Sequence, residues 1–205
     1  MYKKLKLRDH KGRRTLGMRG GGRSRRVVDT ILRATLEKLG ETGYVGLRVE
    51  EVAAQSGVNK TTIYRRWPKK ADLVLAALRH LWRNEAPPDT GTLRGDLLEL
   101  ARRTIELCRT PLGAGVFRMM QAERAHLELE GVLGSLRAEK QAERFALIQR
   151  GIARGELPRD TDAELVVETI FGTLFGRLHR GEAVDEAFAA RVIDLVLAGA
   201  GARTA

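Results

Sequence analysis

The sequence of 205 residues has a single cysteine, Cys108, and no long uncharged run of apolar residues. One cysteine excludes an internal disulfide framework and agrees with a reducing compartment. No stretch reaches the roughly 18 apolar residues of a membrane-spanning helix, and the N-terminus lacks the apolar segment of a secretory signal. We therefore expect an intracellular, cytoplasmic protein without a membrane partner.

Patterns that would indicate catalysis or metal binding are also scarce. The four histidines are scattered without the spacing of metal ligands, and the glycines at 20–22 follow no strand and open no phosphate-binding loop. Cys108 has neither a partner cysteine nor an evident activating neighbour, which argues against a redox sensor. The sequence thus predicts no catalytic residue, no metal and no cofactor.

Positive charge is concentrated at the front of the chain. The net charge is +11, but residues 1–86 hold 21 Lys and Arg against 8 Asp and Glu, whereas the remainder holds 16 against 18. Only the front is therefore expected to meet a polyanion, either a nucleic acid or a membrane surface. Residues 1–24 are rich in glycine and basic residues and poor in apolar ones, which predicts a flexible basic arm.

Apolar residues with helical spacing predict four helices after this arm. The first runs from Arg25 and is ended by Gly40 and Gly43. The second covers 49–56 and stops at Gly57, and the third follows Asn59, a favourable N-cap, and stops before Pro68. The fourth covers about 69–84.

The stretch APPDTG at 86–91 predicts a linker and a domain boundary. Beyond it, helices are predicted at about 93–108, 115–125, 130–154, 162–180 and 185–198, and no segment alternates as a strand. We expect an all-α protein in which a three-helix head at 25–85, with a helix-turn-helix at about 48–67, precedes a helical domain at 92–200.

The third helix has two different faces on a helical wheel of about 100° per residue. Ile63 and Trp67 fall together, which places them against the first two helices. The opposite face is wholly polar, and a short polar-faced helix after a glycine turn is typical of a helix-turn-helix whose second helix enters the major groove. A short solvated helix in a bundle is the alternative. The polar face contains Thr61, Thr62, Arg65 and Arg66, with Lys60 and Tyr64 beside the buried edge.

Residues 25–83 resemble the DNA-binding domain of the tetracycline-repressor (TetR) family of bacterial transcriptional regulators. The resemblance is carried by the alanine-rich first helix, the turn at Gly43 and Tyr44, the second helix and its turn, and the aromatic core of the third helix. It implies a double-stranded DNA operator as partner and a site that reads bases and binds phosphate. The residues implied are Lys60, Thr61, Thr62, Tyr64, Arg65, Arg66 and Lys70.

Two features depart from the family pattern. Arg48 stands where a serine or threonine usually caps the second helix, and we expect it to contact a phosphate instead. The arm is longer than usual, and its arginines, including Arg19, Arg23 and Arg25, are placed to follow the adjacent minor groove. A disordered solubilising tail, or a true start at Met18, are the alternatives for the arm.

The rear half carries all five phenylalanines, and the resemblance implies that it binds an effector and dimerises. Aromatic and methionine side chains among several helices favour an apolar chamber, with ordinary core packing as the alternative. Gly172 and Gly176, four residues apart, and the apolar residues Leu195 and Val196 favour a dimer through a four-helix bundle, with packing inside one subunit as the alternative. The chamber candidates are Cys108, Phe117, Met120, Phe145, Phe171 and Phe175.

The function predicted from these patterns and from the resemblance is a ligand-responsive transcriptional regulator that acts as a repressor. A homodimer would bind a palindromic operator on the nucleoid, and an unidentified small molecule would change the separation of the two reading helices. The competing hypothesis is a sequence-tolerant architectural protein that holds DNA mainly through phosphate contacts and has no small-molecule effector.

Overall fold

A computed structural model describes residues 20–82, 86–123 and 125–201. Within these ranges the chain forms nine helices and no strand, which confirms the predicted all-α fold. No helix in the described ranges is long and apolar enough to span a bilayer. The helices are α1 (Gly20–Gly46), α2 (Val49–Ser56), α3 (Lys60–Arg66), α4 (Lys70–Leu81), α5 (Leu93–Arg109), α6 (Pro111–Ala122), α7 (Leu127–Ala153), α8 (Ala163–His179) and α9 (Glu186–Gly201).

α1 begins earlier and ends later than the sequence predicts. Residues 20–24, which we assigned to the flexible arm, form its first turn, so the arm prediction is wrong there; residues 1–19 lie outside the described part of the chain. Gly40 does not end the helix, whereas Gly43 interrupts it with a φ of 72°. A residue with a Cβ is strained at such a φ, so Gly43 sets the kink.

The turn between α2 and α3 follows from local signals in the sequence. Gly57 adopts the left-handed conformation with a φ of 66° and ends α2 as predicted. The side-chain oxygen of Asn59 accepts a hydrogen bond from the Thr61 N–H at 2.9 Å, which satisfies one of the unpaired donors at the start of α3. Together they fix where the short third helix begins.

The end of α3 is also where the sequence places it. Trp67 has an extended backbone, because the proline that follows disfavours helical geometry in the preceding residue. α4 starts directly afterwards, and the Asp72 carboxylate accepts from the Lys69 N–H at 3.2 Å to cap it. α4 is shorter than predicted and ends at Leu81.

The five rear helices lie in the predicted segments with shifted ends. α6 begins at Pro111 rather than 115, because Thr110 caps it by accepting from the Gly113 N–H at 3.0 Å and proline suits the first helical position. α7 begins three residues earlier than expected, at Leu127. These signals lie within one or two residues of each helix start and were present in the sequence.

Two hydrophobic cores hold the helices together. The second core joins α5, α8 and α9 around Leu97, Ile170 and Ile193. The first core is not confined to the head, because Val116 of α6 and Leu133 of α7 pack in the same cluster as residues of α1–α4. The division into domains at 25–85 and 92–200 stays a prediction, since the head shares its core with two rear helices.

Head and rear approach each other closely between α1 and α6. A Cβ placed on Gly115 would lie 3.1 Å from the Gly40 Cα, so the two backbones touch directly. At the end of α6, the Glu123 carboxylate accepts hydrogen bonds from the N–H groups of Tyr44 at 2.8 Å and Val45 at 3.0 Å. The kink at the end of α1 is therefore fixed to α6 by both packing and hydrogen bonds.

Candidate nucleic-acid interface

The two faces of α3 are arranged as the helical wheel predicts. Ile63 is fully buried, and Trp67, directly after the helix, is half-buried against the first core. On the other side Thr61 and Arg65 are exposed, whereas Thr62 is half-buried. The buried anchor holds the helix, and the polar side remains open to a large partner.

The cations of α3 differ in how they are held. Arg65 has no hydrogen-bond or ion-pair partner among the described residues, so its guanidinium can meet a base edge without first breaking a contact. Arg66 donates to the Ser24 hydroxyl at 3.0 Å, and the Lys60 ammonium lies 3.9 Å from a Glu50 carboxylate oxygen. Both contacts are exposed and therefore weak.

Lys70 is oriented differently from the sequence prediction. We expected its ammonium to point outwards as a phosphate clamp, but it donates to the Tyr44 carbonyl at 3.0 Å and lies 4.4 Å from the centre of the Tyr44 ring. The carbonyl is available because Tyr44 lies in the last turn of α1, where carbonyls have no partner within the helix. The contact joins residues 26 positions apart, which the sequence pattern does not reveal. Contact between Lys70 and phosphate stays a prediction.

The remaining candidates surround α3. Arg48 is exposed at the start of α2 and, as expected, makes no side-chain capping bond. Tyr64 is 41% exposed, which leaves its phenol accessible from solvent. Arg25 is exposed and helical, Arg23 also belongs to α1, and Arg19 lies outside the described residues. The roles of these residues at DNA stay predictions.

Two family models match this chain. The model for bacterial regulatory proteins of the tetR family matches residues 31–77, which include α2, α3 and most of α4. The model for the tetracyclin repressor-like C-terminal domain matches residues 87–196, more than half of the chain. The chain belongs to the TetR family. It is therefore a DNA-binding transcriptional regulator, and proteins of this family are not enzymes.

Individual TetR family relatives cover nearly the whole chain. A DNA-binding transcriptional repressor TetR from Mycobacteroides abscessus is 34% identical over 182 residues, which is 84% of this chain and 94% of the relative. The HTH-type transcriptional regulator AqdR from Rhodococcus erythropolis is 29% identical over 185 residues, 89% of each chain. The solved TetR family regulator SCO0332 is 32% identical, with a TM-score of 0.68 over 84% of this chain and 97% of its own.

The predicted effector chamber of this TetR family regulator is only partly assembled. Phe117 stacks on Phe175 with ring centroids 5.9 Å apart, and Phe171 lies 6.5 Å from Phe175. Phe145, however, is 43% exposed, and Met120 packs against the first core. Three of the six predicted residues therefore come together.

Cys108, the other chamber candidate, is half-buried. Burial raises the pKa of the Cys108 thiol to about 11. The thiol is therefore protonated at neutral pH, which agrees with the argument against a redox sensor.

A large cavity lies elsewhere, between the head and the rear. It has a volume of about 1060 Å³, and Phe175 is the one predicted chamber residue in its wall. The other walls come from α1, α4, α5, α7 and the segment at 86–88, with Trp67 of the head at the wall as well. The sequence does not predict this cavity, because its walls combine residues from helices that are far apart in the chain.

The predicted dimer residues lie on α8 and α9 as expected, with unequal exposure. Gly172 is exposed, with no atom within 4 Å of a Cβ placed on it, and Leu195 is 75% exposed. Gly176 is half-buried, and Val196 packs against the second core of its own subunit. Of the four predicted dimer residues, Gly172 and Leu195 are therefore the two that are exposed in one subunit.

Proposed function

We propose that this regulator is a ligand-responsive repressor that binds a palindromic operator as a homodimer. The observation that carries the proposal is the cavity between head and rear, because Trp67, which ends the reading helix, and Phe175 of the rear both line it. A small molecule in this cavity would touch both parts of the protein. Its binding would then be coupled to the position of α3.

Each head would read one half of the operator through α3. Arginine can bond guanine O6 and N7 together, so Arg65 and Arg66 are the proposed base readers, with Thr61 and Thr62 beside them. Arg48, Lys60, Tyr64 and Lys70 would hold phosphates, and Arg23 and Arg25 would follow the minor groove. The base contacts would thus provide sequence specificity, and the phosphate and minor-groove contacts would mainly provide affinity.

A homodimer would place two α3 helices on one face of the DNA. Half-sites of B-DNA recur about every 34 Å, so a symmetric dimer with fixed head separation selects a palindrome. The exposed surface around Gly172 and Leu195 supports a dimer through α8 and α9, because an exposed apolar patch marks an interaction site. A change in head separation on ligand binding would release the operator.

The proposal is tested first by locating the bound DNA. Mapping of bound sites across the genome, followed by binding to the recovered fragments at physiological salt, should give a palindromic sequence preferred over random DNA. The cytoplasmic protein would then be found on the nucleoid. Equal affinity for operator and random fragments would reject the repressor and favour the architectural alternative.

Substitutions in the head separate base reading from phosphate binding. Arg65→Ala should weaken operator binding by about 1–3 kcal/mol and change binding to random DNA much less, because it removes a base contact. Arg48→Ala should weaken both DNAs alike. Arg159→Ala, an exposed change in the rear loop, serves as the control. Binding titrations on both DNAs measure these effects, and equal losses for Arg65→Ala on the two would contradict base reading.

A further inference from the structure

The wall of the cavity contains more cations than acids. Five cationic and three acidic side chains line it. Most of the cations are already paired: Arg79 with Glu139, Arg102 with Glu99 and Glu106, Arg103 with Glu99, and Lys140 with Glu143. The fifth is Arg144 on α7, and its environment differs from that of the others.

Arg144 meets aromatic rings in place of a carboxylate. Its guanidinium carbon lies 4.2 Å from the centre of the Phe171 ring and 5.3 Å from that of Phe175. Among the described residues, no side chain or carbonyl accepts a hydrogen bond or forms an ion pair with it. Burial lowers the pKa of Arg144 to about 10, and Glu143 opposes the shift only partly, so the group is still charged at neutral pH.

A half-buried guanidinium without a bonded carboxylate favours some ligands in the cavity over others. A neutral apolar ligand would remove water from the guanidinium and leave its donors unpaired, which is costly. A cationic ligand would add to an excess of positive charge. A carboxylate or phosphate can accept two parallel hydrogen bonds from a guanidinium, the strongest pairing available to this group.

We propose that the cavity binds an organic anion whose carboxylate or phosphate pairs with Arg144 and whose apolar body lies along Leu100, Leu147 and Phe175. These three apolar residues line the same cavity as Arg144. A ligand of this class uses both properties of the wall, its unpaired cation and its apolar surface. That the anion acts as effector rests on the function proposed above, whereas its binding does not.

The position of the cavity gives the anion a direct contact with the head. Both tryptophans of the chain, Trp67 and Trp82, line the wall. Trp67 ends the reading helix, and Trp82 follows α4. Tryptophan fluorescence therefore reports binding without any added label.

The test measures binding of matched anionic and neutral compounds to the full chain. The probes are octanoate, octyl phosphate, dodecanoate and naphthalene-2-carboxylate, each paired with the alcohol or amide of the same carbon skeleton. Calorimetry gives the affinities, and tryptophan fluorescence follows the aliphatic probes. We expect at least one anion to bind about tenfold or more tightly than its neutral partner. The carboxylates and the phosphate ester distinguish the two anion sources.

Variants on α7 assign the preference to Arg144. Arg144→Gln should reduce the affinity of the binding anion about ten- to hundredfold, the usual range for a lost charge-assisted hydrogen bond, and leave the neutral partner nearly unchanged. Arg144→Lys should restore part of the affinity, since it restores the charge without the planar fork. Arg137→Gln is the matched control, because Arg137 is exposed on the same helix and outside the cavity wall. Thermal unfolding checks that each variant folds.

The proposal is overturned if no anion binds better than its neutral partner, or if Arg144→Gln and Arg137→Gln bind the anion equally well. Release of operator DNA by the same anion is a separate measurement. Binding through Arg144 without release leaves the anion site in place and rejects the effector role. Absence of any preferred operator rejects the repressor, and the binding result stands by itself.

Discussion

Asp96, at the start of α5, holds three parts of the rear half together. Its side chain is fully buried and accepts hydrogen bonds from the Thr90 N–H at 2.7 Å, from Arg150 at 2.9 Å and from Arg154 at 3.2 Å. Burial by itself raises the pKa of Asp96, but the bonds from Thr90 and the two arginines outweigh it and lower the pKa below its usual value. The carboxylate is therefore stable as a buried anion, and its partners fix the segment before α5 to α7.

Replacing this carboxylate should destabilise the protein. Asp96→Asn keeps the size of the side chain but leaves Arg150 and Arg154 without their shared counter-charge. We expect a loss of about 3–5 kcal/mol in the free energy of unfolding, the usual cost of breaking a buried ion pair. Asp194→Asn is the control, because Asp194 pairs with Arg94 on the surface and should cost less than about 1 kcal/mol. Denaturant unfolding at pH 7 measures both.

Comparison of the parent protein with Asp96→Asn also gives the pH dependence of the stability that Asp96 contributes. A folded pKa below the unfolded value means that the contribution of Asp96 is complete above about pH 4 and is lost as pH falls through the folded pKa. The difference in stability between the parent and Asp96→Asn should therefore be constant from about pH 5 to 8 and shrink under more acidic conditions. A difference that stays unchanged down to pH 2 would contradict the assigned charge.

At the scale of helices, the α1–α6 contact depends on two residues without side chains. Gly40 and Gly115 bring the backbones of head and rear together, and a Cβ on Gly115 would lie 3.1 Å from the Gly40 Cα. Glycine inside a helix usually costs about 0.5–1 kcal/mol relative to alanine. The chain carries this cost at both positions, which indicates that close contact between α1 and α6 compensates for it.

Two glycine substitutions should separate the cost of a glycine inside a helix from the benefit of the close contact between α1 and α6. Gly131→Ala in α7, where a Cβ would meet no atom within 4 Å, should stabilise the protein by about 0.5–1 kcal/mol. Gly115→Val places a larger side chain at the contact and should destabilise it by about 1–3 kcal/mol through overpacking. Unfolding curves of the two variants measure the effects, and stabilisation by Gly115→Val would show that the helices can move apart at no cost.

The ends of a helix could be predicted from the sequence where they depend on residues close by in the chain. Gly57, Asn59 and Pro68 act within one or two positions, so α2 and α3 have the bounds read from the sequence. Gly40 misled the prediction, because its role depends on Gly115, 75 residues away in the chain. A single sequence does not distinguish a glycine that ends a helix from a glycine that allows two helices to come into close contact.

At the scale of the whole molecule, the exposed surface of α8 and α9 is the feature that one subunit does not explain. Leu165 and Leu195 are 59% and 75% exposed, and Gly172 lies exposed on α8. Burial of such residues contributes roughly 25 cal/mol per Å² of apolar surface removed from water. A second copy of the chain covering this surface is what the homodimer proposal requires.

A charge placed on this surface should separate the subunits. Leu195→Glu, combined with Leu165→Glu if needed, should convert a dimer into a folded monomer, because two carboxylates would be buried without partners in a symmetric contact. Leu127→Glu, a change on α7 at a leucine that is 88% exposed, should leave the dimer intact. Analytical ultracentrifugation measures the mass, and a parent protein that is already monomeric at micromolar concentration would reject the dimer.

The site was predictable where its chemistry depends on one helix and not where it depends on the assembled fold. The wheel of α3 separates buried Ile63 from exposed Arg65 because both positions belong to one short helix. The cavity depends on how α1, α4, α5, α7 and α8 come together, and its Arg79–Glu139 ion pair joins residues that are 60 positions apart in the sequence. Arg144 differs from the other cations of the wall because aromatic rings, and no bonded carboxylate of the described residues, surround its guanidinium. No local sequence pattern indicates such a setting.

The backbone of Tyr44 is bonded both to the residue that ends α6 and to the residue that starts α4. Its N–H donates to Glu123, and its carbonyl accepts from Lys70. Lys70 is also a proposed phosphate contact, but none of these groups belongs to the seven residues of α3. The residues of α3 other than the anchor Ile63 can therefore be exchanged without removing either of these two hydrogen bonds. Under the proposed function, such modularity would let one rear half serve several operators.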